Sequence, residues 1–161
     1  MAATRSVSHA SARERAVHFY THSIRKLRTE TWYWQRVMGV PRTRGFSRAL
    51  AASSIPRLRH VAAVWRRREK RAFHRAQHPP HHRQLLCIHR YEGSWRDGGA
   101  PYWGGLQMSA SFQARYGWWL YRTKGTADHW TPLEQIWTAE RALRTRGWYP
   151  WPNTARYCGL L

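Results

Sequence analysis

The chain is short of carboxylates. Eight Asp and Glu stand against 28 Lys and Arg in 161 residues, a formal charge of +20 at pH 7. A surplus of this size repels itself and draws polyanions, but it carries no information about fold. Nucleic acid, anionic lipid and the anionic polymers of a bacterial wall all stay open as partners. Long apolar runs are also missing, and no stretch nears the roughly 18 residues of a membrane-spanning helix. The N-terminus, MAATRSVSHASARERAVHFY, lacks the uninterrupted apolar segment of a secretory signal. Its Arg5, Arg13 and Arg15 with scattered Ser suit a transit-like presequence or a disordered arm equally. There is no internal repeat, no long low-complexity tract, and no helix-turn-helix, zinc-finger or RNP pattern. The histidines at 78, 81 and 82 have no spaced Cys or carboxylate beside them, so neither a metal nor a cofactor is expected.

What is present is unevenly distributed. Residues 1–86 hold 19 Lys and Arg against Glu14, Glu30 and Glu69, whereas residues 87–161 hold nine against five carboxylates. Eight of the eleven tryptophans lie in the second part. The core is therefore expected to be C-terminal and the charge N-terminal. Three regions follow: a basic, poorly ordered region 1–56; a basic amphipathic helix with a His/Pro hinge, 57–83; and a compact domain, 84–161. The two cysteines, Cys87 and Cys158, bracket that domain. They are either two buried free thiols or one disulfide closing nearly the whole of it, which would imply an oxidising compartment.

Local patterns supply the elements. His18 to Arg36 has apolar residues at 19, 20, 24, 27, 32 and 34, a loose helical spacing, and Met38 to Pro56 reads as linker with a possible short helix near Ala49–Ala52. Arg57 to Gln77 reads as a helix with Val61, Val64 and Trp65 near one face and arginines around the rest. Gln84 to Tyr91 is expected to bury Leu85 and Ile88 and to deliver Glu92 at its end, before Gly93. Asp97 to Pro101 is turn material, and Ser109 to Tyr116 resumes a helix. The last helix is the best marked, with Thr131 as N-cap, Pro132 at its first position, Glu134 completing a capping box and Gly147 ending it. Glu140, on its apolar face, is expected to be a structural carboxylate paired with Arg90 or with neighbours of Arg141.

The stretch from Cys87 to Ser109, CIHRYEGSWRDGGAPYWGGLQMS, has the layout of a cleft. Cutting a glycosidic bond needs a carboxylic acid whose pKa is raised by apolar surroundings. Glu92 has Tyr91, Trp95, Tyr102 and Trp103 nearby in sequence to provide them. Gly104 and Gly105 would let a sugar approach the backbone, and Gln107 offers donor and acceptor to an acetamido group. Tryptophans offer stacking faces for pyranose rings.

The order of Glu92, Trp95, a turn and then YWGGLQMS resembles the resuscitation-promoting factor family of actinobacterial lysozyme-like enzymes. In that family the stretch reads as Glu-Ser-Gly-Gly-Asn-Trp followed by Tyr-Tyr-Gly-Gly-Leu-Gln-Phe-Ser. The likeness runs on through EQIWTAERAL and GWYPWP and covers residues 84–161. It implies an α+β, mainly helical, compact lysozyme-like C-terminal domain behind a basic, partly helical N-terminal arm. It further implies peptidoglycan cleavage between N-acetylmuramic acid and N-acetylglucosamine, with Glu92 as general acid. Tyr102, Trp103, Gly104, Gly105 and Gln107 then belong to the glycan cleft, with Trp95 a further candidate for sugar contact, and the location is extracellular or wall-associated. The chain departs from the family in a shorter loop after Glu92 and in both cysteines, each displaced by about one helical turn. The shifts move together, as a retained bridge with displaced anchors would.

A second carboxylate would be needed about 5 to 5.5 Å from the acid for a retaining hydrolase, or about 6.5 to 9.5 Å for an inverting one. Asp97 is the only candidate near in sequence. Without it, Glu92 would act as acid and then base, giving a 1,6-anhydro product or hydrolysis. Two other classes compete: a nucleic-acid binder gripping phosphates through Arg66 to Arg75, and a thiol peptidase pairing Cys87 with His89 or His129.

Overall fold

A computed structural model describes residues 11–45, 50 and 52–161. Among them, those up to Trp34 and from Arg42 to Phe73 form one compact unit, and Gln35–Pro41 with His74–Leu161 form the other. No helix among the described residues is long and apolar enough to cross a membrane.

The first unit is built on two helices, α1 (Ala12–Met38) and α2 (Ile55–Ala76), each of which ends in the second unit. Order over 12–38 corrects the expectation of a poorly ordered region 1–56 as far as the described residues go; residues 1–10, 46–49 and 51 of that region lie outside them. The reason lies in tertiary packing. Tyr20, Ile24 and Leu27 fall at helical spacing and meet Leu58, Val61, Ala62 and Trp65 of α2, so a weak local pattern gains a partner. Ser11 and Glu14 add a capping box, Glu14 N–H donating to Ser11 Oγ at 3.2 Å and Ser11 N–H to Glu14 Oε2 at 2.6 Å. Trp32 meets Trp65 edge-on at 6.3 Å and donates its indole N–H to Thr43 O at 2.8 Å. Trp65 is fully buried, while Arg66, Arg67, Lys70 and Arg71 stay exposed.

The second unit is mainly helical with one small hairpin. Its elements are α3 (His82–Glu92), β1 (Tyr102–Trp103), β2 (Met108–Ser109), α4 (Ala110–Tyr116), α5 (Trp118–Lys124), a 3-10 turn at Ala127–His129, α6 (Pro132–Arg146) and α7 (Pro152–Tyr157). The two strands are antiparallel, with Tyr102 opposite Ser109 and Trp103 opposite Met108.

Helix α6 runs through the centre, and every residue from Glu134 to Glu140 is buried. It begins as its sequence dictates. Thr131 Oγ1 accepts from Glu134 N–H at 3.3 Å, and Glu134 Oε2 accepts from Thr131 N–H at 2.8 Å. Its Ile136 joins a core with Leu85, Ile88, Leu106, Met108, Phe112, Leu120, Trp130 and Trp151.

Burying a central helix also buries its charges, which must then be paired. Glu134 takes Lys124 Nζ at 2.7 and 2.9 Å. Arg141 donates to the carbonyls of Tyr116 and Val37 and to Thr138 Oγ1. Burial, with a smaller push from Arg144, lowers Arg141 to about 10, which leaves it charged at neutral pH. Glu140 is structural, as expected, but its partner is His81 rather than an arginine. His81 donates its backbone N–H to Oε1 at 2.6 Å, and its Nδ1 lies 3.0 Å from Oε2. A pairing across 59 residues has no local signature. Cys87 and Cys158 form a disulfide from α3 to the end of α7. The thiol-peptidase reading ends there, because a disulfide-bonded sulfur is no nucleophile.

Candidate active site

Glu92 is the last residue of α3, held there because Gly93 stops the helix. It is half-buried. Thr154 of α7 donates its hydroxyl to Glu92 Oε1 at 2.7 Å, and among the described residues Oε2 has no protein partner. One oxygen is thus fixed and the other is available to give or take a proton. Tyr91, expected to desolvate this carboxyl, is instead exposed and tilts against Tyr157 at 5.6 Å. It lies on the outer face because consecutive helical residues point about 100° apart.

The chain after Gly93 returns to the same place. A Cβ built on Gly93 would lie 3.3 Å from Asp97 Oδ2 and 3.5 Å from Gln107 Nε2, so the backbone bearing Glu92 abuts both side chains. Asp97 Oδ2 accepts from Gln107 Nε2 at 2.9 Å, and its Oδ1 accepts from Gly99 N–H at 3.2 Å. Both oxygens therefore build the loop, and a base so engaged has little freedom to activate water. Asp97 is a positioning carboxylate for Gln107. Gln107 also donates to Gly104 O at 3.0 Å and holds φ +46, a left-handed conformation uncommon for a residue with a Cβ.

Gly104 and Gly105 are buried, and interior packing accounts for them more directly than an approaching sugar. Gly104 has φ +74, and a Cβ there would run into the Gln135 side chain. A Cβ on Gly105 would lie 2.5 Å from His89 Nδ1 and 2.7 Å from the Trp95 ring. Trp95 is stacked on His89 at 3.8 Å, so one of its faces is already covered, and His89 Nδ1 lies 3.0 Å from Gly105 O. Trp103 packs against the core. Tyr102 is half-exposed and lines, with Gln107, Ser109, Phe112, Arg146 and Tyr149, a cavity of about 210 Å³ beside the hairpin.

Gln135 and Thr154 carry weight that the sequence reading did not assign. Gln135 Oε1 accepts from Gly105 N–H at 2.9 Å. Its Nε2 faces the carbonyls of Trp95, Ala127 and Trp130 at 2.9, 2.8 and 3.2 Å. One buried amide from α6 thus ties the loop after Glu92, the hairpin turn and the 3-10 turn together. Gln113 and Trp151 act alike, donating to the carbonyls of Met108 and Leu106 at 2.7 Å each. The available signal was a glutamine placed one residue after the capping glutamate on a helix otherwise rich in core residues. Among the described residues, no cluster of three His, Cys, Asp or Glu could hold a metal. His78 Nδ1 lies 2.7 Å from His74 O, apart from the His81–Glu140 pair. Comparison with protein-family models, with curated proteins and with solved structures finds no match for this chain.

Proposed function

We propose that this protein cleaves peptidoglycan glycan strands between N-acetylmuramic acid and N-acetylglucosamine, with Glu92 as general acid and then base. The observation that carries the reading is the convergence around Gly93. A half-buried carboxylate with one fixed and one unengaged oxygen is followed directly by Gly93, whose backbone abuts the amide of Gln107, itself clamped by Asp97. Glu92 protonates the glycosidic oxygen as the C1–O bond breaks. The resulting carboxylate then takes the proton of the muramic acid C6 hydroxyl, whose oxygen closes on C1 to give the 1,6-anhydro product, or of a water that hydrolyses the bond. Gln107 addresses an acetamido group, and Tyr102 offers a stacking face at the mouth. The lysozyme-like architecture, the extracellular or wall-associated location and an oxidising compartment belong to this same proposal, and the disulfide is compatible with them.

Digestion of purified peptidoglycan followed by mass spectrometry of the muropeptides tests the proposal. The wild type should release anhydro-muramic or reducing ends, and Glu92→Gln should release neither while keeping its melting temperature. Undiminished cleavage by Glu92→Gln would remove Glu92 from the mechanism.

The exposed arginines of α2 favour a second role, attachment to polyanions. Wall polymer is the partner under the first reading and nucleic acid under the alternative. Binding should weaken steeply with salt in either case. Retention on DNA without retention on wall fragments would select the nucleic-acid reading.

A further inference from the structure

At the N-terminal end of α3, eleven residues and therefore roughly 16 Å from Glu92, lies a second group of polar side chains that the cleavage reading does not use. Glu140 is buried at 4 % exposure and spends both oxygens on His81. A carboxylate on Nδ1 fixes the ring and its tautomer, so the nitrogen left for other partners is Nε2. The His81 side chain is 46 % exposed, and Trp148 meets it edge-on at 5.6 Å. His81 and Glu140 line a cavity of about 230 Å³ together with Pro80, Leu143, Arg144 and Trp148. Arg144 follows Glu140 by one helical turn, and neither its guanidinium nor the Trp148 indole N–H has a hydrogen-bond partner among the described residues.

We infer that this cavity is an anion site for a phosphate group. The neighbouring carboxylate keeps its negative charge, but both its oxygens are taken up by His81 and the Arg144 guanidinium on the same lining offsets it. What remains unspent on the lining is His81 Nε2, the guanidinium fork and an indole donor, against an apolar wall from Leu143. A guanidinium pairs two phosphate oxygens in parallel. Nε2 accepts from a protonated phosphate oxygen when the ring is neutral and donates to an unprotonated one when it is charged. The cavity is smaller than the roughly 300 to 1,000 Å³ of sites for drug-sized ligands. It suits a single phosphate, either free or as one unit of a phosphodiester polymer.

An NMR titration of the full-length protein with inorganic phosphate, at constant ionic strength balanced by chloride, is the test. Saturable shifts are expected at the His81 ring and the Trp148 indole N–H. Arg144→Gln should raise the Kd about tenfold or more at unchanged melting temperature. His81→Asn retains a donor near the Nδ1 position for Glu140 but removes Nε2, and should weaken binding similarly. If that variant fails to fold, Arg144→Gln decides alone. A glycerol-phosphate diester oligomer forms the second arm: tighter binding per phosphate than the inorganic ion assigns the site to a polymer, and the reverse assigns it to free phosphate. Non-saturating shifts spread over the arginines, or an unchanged Kd in Arg144→Gln, would overturn the inference. Muropeptide release by Glu92 is read separately, so failure here leaves the cleavage reading standing and failure there leaves this one.

Discussion

Replacing Gln135 probes the link on which the candidate site depends. Gln135→Ala removes the acceptor for the Gly105 N–H and the donor shared by the carbonyls of Trp95, Ala127 and Trp130. A buried polar group left unsatisfied costs about 1 to 3 kcal/mol. Gly105 N–H and at least one of the three carbonyls lose their partner, giving roughly 2 to 6 kcal/mol. A chain of this size changes its melting temperature by about 2 to 4 °C per kcal/mol, so the loss should be roughly 4 to 24 °C. Gln135→Glu sharpens the argument, because it keeps the acceptor but turns a second acceptor toward three carbonyls. Its carboxyl is then favoured in the protonated form when folded, with a pKa raised above the unfolded value of about 4.3. The stability lent by protonation is complete below that value and is lost as pH rises through the folded pKa. The deficit of Gln135→Glu relative to wild type should therefore be small at low pH and grow toward neutrality, whereas that of Gln135→Ala should stay nearly flat. Differential scanning calorimetry between about pH 3 and 7 reads both. A Gln135→Ala deficit below about 1 kcal/mol, or parallel pH curves for the two variants, would refute the view that this amide holds the three segments together.

Other outcomes follow from the same geometry. Cys87→Ser with Cys158→Ser opens a bond between residues 71 apart and should cost about 4 kcal/mol in the chain-entropy model, seen as a lower denaturation midpoint matched by reduced wild type. Gly105→Ala places a methyl group against His89 and Trp95 and should destabilise by about 1 to 3 kcal/mol, with the two ring resonances shifting in NMR spectra. The Glu14 carboxyl is held below its usual value by hydrogen bonds from Ser11, backbone first and side chain second. The first turn of α1 is thus secured above pH 4.5 and loosens as pH falls through the lowered pKa. Amide exchange in that turn should show this for wild type and lose the pH dependence in Glu14→Gln.

Elements whose stability is encoded within a few residues were legible. Helix α6 begins at Pro132 and stops at Gly147 because Thr131, Glu134 and the glycine satisfy its ends locally. Helix α3 is legible with Glu92 at its tip from Leu85, Ile88 and the following Gly93, and α2 because its apolar stripe is strong. Helix α1 is only loosely marked, over His18 to Arg36, since its apolar residues are sparse and become informative against Leu58, Val61 and Trp65. Within the candidate site, the sequence singled out Glu92, Asp97 and Gln107; chain reversal pairs Asp97 with Gln107 and sets both against the backbone of Gly93, the residue after Glu92. It assigned sugar contacts to Gly104, Gly105 and Trp95, where the packing of Gln135 and His89 accounts for the residue types.

The sequence by itself determined that the charge is N-terminal and the tryptophan core C-terminal, where α6 starts and ends, and which carboxylate stands at the end of α3. Composition, capping and periodicity are local or additive properties, and they survive being read one residue after another. The Cys87–Cys158 bond was already expected from the sequence, whereas only the tertiary structure decided that His81 answers Glu140 across 59 residues and that Gln135 and Thr154 hold the loops around Glu92. Those pairings satisfy buried polar groups, and which group finds which partner depends on how the helices pack.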